Sequence, residues 1–255
     1  ANHFFSFLAI RKALLLGAKL SVLMNDPQAG AYYIQQAQII SDELELFVDS
    51  KRQLVLPSKN FSPSSKCAQK DDMDTAVYLG ALYGEFDDSL ITELEQLYQT
   101  EFQDVGCPVT YLSAEHADYV ITDDGSEYSF SKHCQNVGHV LRITSNAAGS
   151  SPLNSFKPHD PRILQSLDLV AQWSKNNFKI SQSDEIGGFT EINICRYPND
   201  IYSGTGDGLG NAWVLANMAA AEVMFRTAYQ IKQNITKNEG CYFDSFATAT
   251  YSVLL

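Results

Sequence analysis

From His3 to Met24 apolar residues recur on nearly every face of a helical projection: Phe4, Leu8, Leu15, Ala18 and Val22 form one stripe, Phe7, Ile10, Leu14 and Gly17 another. A helix apolar around most of its circumference has to be surrounded by protein. The next helix is predicted to open at Asp26-Pro27, where an aspartate caps first-turn N–H groups and a proline fits the first turn. Its stripe is Tyr33, Ala37, Ile40, Leu44 and Phe47, and its other face carries Gln35, Gln38, Asp42, Glu45 and Asp49. The same periodicity predicts a third helix over 88–102, with Ile91, Leu94 and Tyr98 buried. A fourth runs from Asp160-Pro161 to about Asn177 through Ile163, Leu167, Val170 and Trp173, and a fifth starts at Asn211 with Val214, Met218, Ala221, Phe225 and Ala228 on one stripe.

An apolar inner helix followed by an amphipathic outer one is the repeat logic of a double ring of helices, an (α/α) barrel. Between the helices, 103–149 lacks helical periodicity and holds strand-like pieces, Pro108 to Leu112 and Tyr119 to Thr122, broken by Asp123-Asp124-Gly125. This predicts a small β-rich insertion on the rim. Its acids Asp118, Asp123, Asp124 and Glu127 do not have calcium-loop spacing and read as a solvated turn.

Composition narrows the classes of function. A chain of 255 residues with 45% hydrophobic content has enough apolar surface for a packed core. Its 30 acidic and 18 basic residues give a net charge of −12, whose field repels nucleic acid and anionic membrane, whereas a neutral polysaccharide is not penalised. The long apolar stretch Phe4 to Met24 is interrupted by Arg11, Lys12 and Lys19, each costly at bilayer depth, so it reads as a buried helix. The five cysteines, Cys67, Cys107, Cys134, Cys195 and Cys241, have neither zinc-site nor redox-motif spacing, which leaves disulfides or buried thiols. Cys195 reads as a small buried apolar residue. The histidines show no metalloprotease or triad arrangement, and no metal or cofactor is implied. Asn60-Phe61-Ser62 and Asn234-Ile235-Thr236 are glycosylation acceptors if the chain enters a secretory pathway.

Candidate chemistry concentrates in Arg196-Tyr197-Pro198-Asn199-Asp200, the glycine-spaced loop Tyr202 to Gly210, and Asn211-Ala212-Trp213. An always-charged planar donor, a carboxylate and aromatic rings on a proline-pinned loop are the groups that recognise sugars: Arg and Asp each engage neighbouring hydroxyls, and flat rings pack on a pyranose face. A structural Arg–Asp salt bridge uses the same residues. The alternating glycines from Gly204 to Gly210 follow no buried strand and precede no lysine, so a sugar-side loop is favoured over a phosphate cradle.

The order of these residues resembles the glucoamylases, particularly their yeast branch, which carry Arg-Tyr-Pro-Glu-Asp, a glycine-containing loop, Asn-Pro-Trp and a helix with Ala-Ala-Glu. The matching residues are Arg196 to Asp200, the loop through Gly210, Asn211-Ala212-Trp213 and Ala219-Ala220-Ala221-Glu222. Asn199 replaces the usual acid, and Ala212 replaces the usual proline, a change expected to loosen the loop that presents Trp213. Collinear matches lie at Asn2-His3-Phe4-Phe5, Asp74-Thr75 with Tyr78-Leu79-Gly80, and Ser155-Phe156 with Asp160 to Ser166. The resemblance implies a mainly α fold, part of an (α/α)6 barrel or six-hairpin toroid, over residues 1–255 with the rim insertion at about 103–149. It implies exo-hydrolysis of terminal α-1,4-linked glucose from starch, glycogen or malto-oligosaccharides with inversion. Arg196, Tyr197, Asp200 and Trp213 are the implied substrate-binding residues.

In the family the general acid is a glutamate in a Trp-Glu-Glu run upstream of a segment like Asn2 to Phe5, and the general base is a glutamate beyond the region like Tyr251 to Leu255. The expectation is therefore that this chain holds neither catalytic carboxylate, is inactive alone, and has the remainder of the barrel as a partner besides α-glucan. A different class of function, a non-catalytic paralogue retained as a carbohydrate-binding or interaction protein, is the alternative. The resemblance and the acceptor sequons together imply a secreted or secretory-pathway and vacuolar protein.

Overall fold

Asp26 and Asp160 open helices as their sequence context predicts. The Asp26 carboxylate accepts from Ala29 N–H at 3.0 Å and the Asp160 carboxylate from Arg162 N–H at 2.9 Å, satisfying first-turn donors, and each is followed by a proline that lacks one. In the computed structural model, residues 2–59, 72–86, 88–104, 119–121, 127–129, 132–150, 153, 155–178, 193–206, 208 and 210–237 are described. Among them are seven α-helices: α1 (Phe4–Leu23), α2 (Pro27–Leu44), α3 (Ala76–Gly84), α4 (Asp88–Asp104), α5 (Lys132–Ser150), α6 (Pro161–Asn177) and α7 (Val214–Lys237). The strands are short and pair antiparallel: β1 (Asn2–His3) with β4 (Ser58–Lys59), β2 (Val48–Asp49) with β3 (Leu54–Val55), and β5 (Tyr119–Ile121) with β6 (Glu127–Ser129).

The chain, read from sequence as one domain, groups into two compact units, one of residues 1–5, 47–83 and 156–255, the other of 6–46 and 84–155. In the second unit α4 and α5 pack together, α5 also packs on α2, and the core joins Leu15 and Ala18 of α1, Ile34 and Ala37 of α2, Leu94 and Tyr98 of α4, and Val137 and Val140 of α5. Helices α1 and α2 cross closely at Gly30, where any Cβ would lie 2.9 Å from the Ala18 carbonyl oxygen and 2.2 Å from the Tyr98 hydroxyl. Arg11 is buried here, donates to the Ser155 carbonyl at 3.0 Å and stacks over Phe86 at 5.5 Å. Burial pulls its guanidinium pKa down to about 10.

In the first unit Phe4 packs against Phe47 and edge-on against Phe156, with ring centroids 5.7 and 5.1 Å apart. The Ser166 hydroxyl of α6 accepts from Val55 N–H at 3.1 Å, fixing that helix on β3. This unit also holds α3, α7 and the segment around Arg196.

Several sequence expectations are corrected. The stripe of α2 is rotated: Ala31, Ile34, Ala37, Ser41 and Leu44 are buried, while Tyr33 and Ile40 are half-buried. On α1 the stripe through Phe4, Leu8, Leu15 and Ala18 is buried, but Ile10, Leu16, Leu20 and Leu23 are exposed, so the helix is not enclosed all round by described residues. The largest reversal is on α7. Val214, Met218 and Phe225 are 74%, 68% and 70% exposed, and the buried face is Ala216, Ala219, Ala220, Val223 and Thr227. Tyr78 of α3, fully buried, reaches across to the Ala216 carbonyl, and such a bulky neighbour demands small residues opposite it. Helices α3 and α5 are additional to the five that the periodicity predicts; within 103–149 the described β structure is the β5–β6 hairpin, with α5 following. The Pro108 to Leu112 piece, the acids Asp118, Asp123 and Asp124, the sequon at Asn60, and Cys67, Cys107 and Cys241 lie outside the described residues.

Candidate functional site

Residues 193–200 are held by the ends of several helices. Ile194 N–H donates to the Asn217 side-chain oxygen of α7 at 2.6 Å, and Trp213 N–H returns a bond to the Ile194 carbonyl at 2.9 Å. Cys195 N–H donates at 3.1 Å to the Ser174 hydroxyl of α6, which itself donates to the Cys195 sulfur at 3.3 Å. The Arg196 carbonyl accepts from Thr75 N–H, at the start of α3, at 2.8 Å. These backbone groups find partners at α6, at the start of α7 and just before α3, so the segment is fixed by tertiary contacts. Trp213 is tied on both sides, because its carbonyl also accepts from Asn217 N–H at 3.0 Å. The loosening expected from Ala212 in place of proline does not follow from this arrangement.

Pro198 is buried, and Asn199 beside it takes φ +60°. That left-handed conformation is more accessible to asparagine than to most side chains, which gives a backbone reason for the residue at this position. The turn brings Asp200 under Arg196. Arg196 donates from Nε to Asp200 Oδ2 at 2.6 Å and from Nη2 to Oδ1 at 2.8 Å, a parallel fork. The Asp200 side chain is 3% exposed and the Arg196 side chain 37%, so the carboxylate is the buried partner and the guanidinium the presented one.

Three rings enclose the guanidinium. Its Cζ lies 4.5 Å from the Trp213 ring centroid, 5.2 Å from that of Tyr202 and 5.5 Å from that of Tyr197. Tyr202 and Trp213 stack with centroids 5.7 Å apart and planes 19° apart. Cation–π attraction is strongest over tryptophan, and a delocalised guanidinium stacks where an ammonium would not. The indole N–H of Trp213 is buried and has no hydrogen-bond acceptor among the described residues. All four predicted substrate-binding residues, Arg196, Tyr197, Asp200 and Trp213, thus meet in one cluster. Tyr202 belongs to it too and was passed over in the sequence, where only its place two residues after Asp200 marked it.

Charge in this cluster is locked. Burial raises the Asp200 pKa, but the Arg196 fork, the Tyr202 N–H at 3.2 Å, the positive charge of Arg196 and the Tyr197 hydroxyl together outweigh it and hold the carboxyl below its ordinary range. The same fork raises the Arg196 pKa. Beneath, burial pushes the Cys195 thiol up, consistent with an inert, structural residue.

The glycine-spaced loop is internally bonded. Ser203 N–H donates to the Gly206 carbonyl at 2.9 Å, Gly208 N–H to the Ile201 carbonyl at 2.6 Å, and the Tyr202 hydroxyl to the Gly204 carbonyl at 2.9 Å. Gly210 closes it with φ +77°, where a Cβ would fall 2.0 Å from the Asp200 carbonyl oxygen. Among the described residues no cluster of acids, histidines and cysteines is arranged to hold a metal ion, and no helix is long and apolar enough to cross a membrane.

The family model for glycosyl hydrolases family 15 matches residues 1–252. The chain is 27% identical to a glucoamylase of Blastobotrys adeninivorans over 231 residues, covering 90% of this chain and 26% of the relative. It is 27% identical to a glucoamylase of Saccharomycopsis fibuligera over 131 residues, 48% of this chain and 24% of the relative. A glucoamylase described as intracellular and sporulation-specific, from Saccharomyces cerevisiae, is 31% identical over 91 residues, 34% of this chain and 16% of the relative. A solved glucoamylase structure from Saccharomycopsis fibuligera matches with a TM-score of 0.57 at 19% identity, covering 92% of this chain and 35% of that one. That likeness shows the fold, mainly α and part of an (α/α)6 toroid. The chain spans about a quarter of the length of the first two relatives.

Proposed function

The chain belongs to glycosyl hydrolases family 15, and on that premise we propose that it is the substrate-gripping part of a glucoamylase-type exo-hydrolase acting on terminal α-1,4-linked glucose of starch, glycogen or malto-oligosaccharides. The observation that carries this reading is the forked Arg196–Asp200 pair packed on Trp213, with the guanidinium partly exposed. A charged fork beside flat rings fits a neutral, hydroxyl-rich ligand, and the net charge of −12 does not oppose it.

Hydrolysis with inversion needs one carboxylic acid to protonate the glycosidic oxygen and one carboxylate, about 6.5 to 9.5 Å away, to activate water. Asp200 suits neither role. A general acid requires a raised pKa, and Asp200 is held ionised; a general base must reach water, and its oxygens are engaged by Arg196 and Tyr202. In this proposal Arg196, Tyr197, Asp200 and Trp213 position the sugar at the reacting end, and proton transfer is assigned to none of them. Cys134 is disulfide-bonded, which supports an oxidising, secretory-pathway destination.

Titration of the 255-residue chain with malto-oligosaccharide tests the reading. Saturable binding is expected, weakened about tenfold or more by Arg196→Ala, or about 1.4 kcal/mol per tenfold. A chain that binds no malto-oligosaccharide at any concentration refutes it. The same material is expected to release no glucose from maltose or soluble starch; release would return proton transfer to residues of this chain.

A further inference from the structure

The geometry divides the site into a residue that meets the ligand and residues that aim it. Resting on the reading of Arg196 as a sugar ligand, we propose that Asp200 and Gly210 are positioning residues: Asp200 sets the plane of the guanidinium without touching the sugar, and Gly210 makes room for the backbone turn that brings Asp200 beneath it.

Asp200 is a poor direct ligand on three grounds. Its side chain is almost wholly buried, Oδ2 accepts from Arg196 Nε, and Oδ1 accepts from both Arg196 Nη2 and Tyr202 N–H. A sugar hydroxyl would have to displace one of these donors and, at the fork, exchange a bidentate ion-pair bond for a single bond from a neutral donor. Arg196 differs. A guanidinium has five N–H donors, and Nη1 is engaged with neither oxygen of Asp200. Two parallel bonds from a planar fork fix the plane as well as the place of the donor, and the guanidinium carbon lies over the Trp213 ring, 4.5 Å from its centroid.

Gly210 acts on this through the backbone. Its own left-handed φ and the 2.0 Å separation between a built Cβ and the Asp200 carbonyl oxygen mean that any side chain there forces residues 200 and 210 apart. Gly206, in the same loop, has nothing among the described residues within 4 Å of a built Cβ, so alanine there meets open space. The loop therefore contains its own control.

The test uses the full chain with Trp173→Phe, leaving Trp213 as the emitter, since the chain has two tryptophans. A guanidinium stacked on an indole perturbs its emission, so without any sugar Asp200→Asn and Gly210→Ala are expected to shift the Trp213 spectrum as Arg196→Ala does, and Gly206→Ala to leave it in place. In malto-oligosaccharide titrations Asp200→Asn and Gly210→Ala are each expected to lose about tenfold in affinity, while Asp200→Asn added to Arg196→Ala loses less than about twofold more. Multiplying losses in the double variant would make Asp200 a direct ligand and overturn the proposal, as would Gly210→Ala matching Gly206→Ala in emission. Should Gly210→Ala fail to fold, the near-isosteric Asp200→Asn decides the matter. If the spectral shifts occur and the parent chain binds no malto-oligosaccharide, the sugar-binding reading falls while the positioning roles stand.

Discussion

Asn199 and Asp200 are adjacent, and each is chosen for a different reason. Asn199 occupies a left-handed turn position, so Asn199→Val is expected to cost about 1–2 kcal/mol from backbone strain alone, with Asn199→Gly near neutral; thermal melts of the two variants separate strain from lost side-chain contacts. Asp200 is present for its charge. Its folded pKa lies below the ordinary aspartate value of 3.8, so the stability it adds is complete above that value and is lost as pH falls through the lower folded value. The difference in melting temperature between the parent chain and Asp200→Asn should be constant from pH 8 down to about pH 5 and shrink only below about pH 4. A difference that disappears near neutrality would show that the fork is not what stabilises the turn. Which residues meet at this site was legible from their order; that Asp200 lies beneath Arg196 and Tyr202 stacks on Trp213 depends on a turn whose geometry no local pattern specifies.

At the scale of elements, packing rests on close approach as much as on apolar stripes. Gly30 lets α2 contact α1, and Gly30→Ala would press a methyl group against the Ala18 carbonyl and the Tyr98 hydroxyl, which donates to the Pro27 carbonyl at 3.1 Å. A loss of about 1–3 kcal/mol is expected from this overpacking, measured by denaturant midpoint. Loss of the buried Arg11 is expected to cost about as much, because Arg11→Ala leaves the Ser155 carbonyl without that donor and opens a void beside Phe86. A helix with a strong start signal and one dominant stripe, α6 above all, is readable from the sequence, as is α4 from its stripe alone. The rotation of α2 and the reversal of α7 were not, since a helix with two apolar faces has two acceptable burials and only its neighbour selects one. On α7 the neighbour includes the buried Tyr78, whose hydroxyl donates to the Ala216 carbonyl on the buried, alanine-rich face.

At the scale of the whole molecule, exposed apolar side chains set the behaviour of the chain in solution. Leu16, Leu20 and Leu23 of α1 and Val214, Leu215, Met218, Phe225 and Tyr229 of α7 are all exposed. At roughly 25 cal/mol per Å² such faces drive association, opposed by the net charge of −12. Concentration-dependent association that strengthens with salt is therefore expected, and Met218→Ser with Phe225→Ser should reduce it while moving the melting temperature little, as both positions are exposed. A monodisperse monomer in light scattering at high salt would contradict this.

What the sequence by itself determined was the helical class, the capped starts at Asp26 and Asp160, the family, and the concentration of candidate site residues around Arg196. These follow from local hydrogen-bonding rules, periodicity and residue order, all written along the chain. Only the tertiary structure decided which stripe of α2 and α7 is buried, that α5 is a helix, and that Arg196 is braced by a buried Asp200 and a Tyr202–Trp213 stack. Those outcomes depend on residues far apart in sequence competing for the same volume, and that competition exists only once the chain is folded.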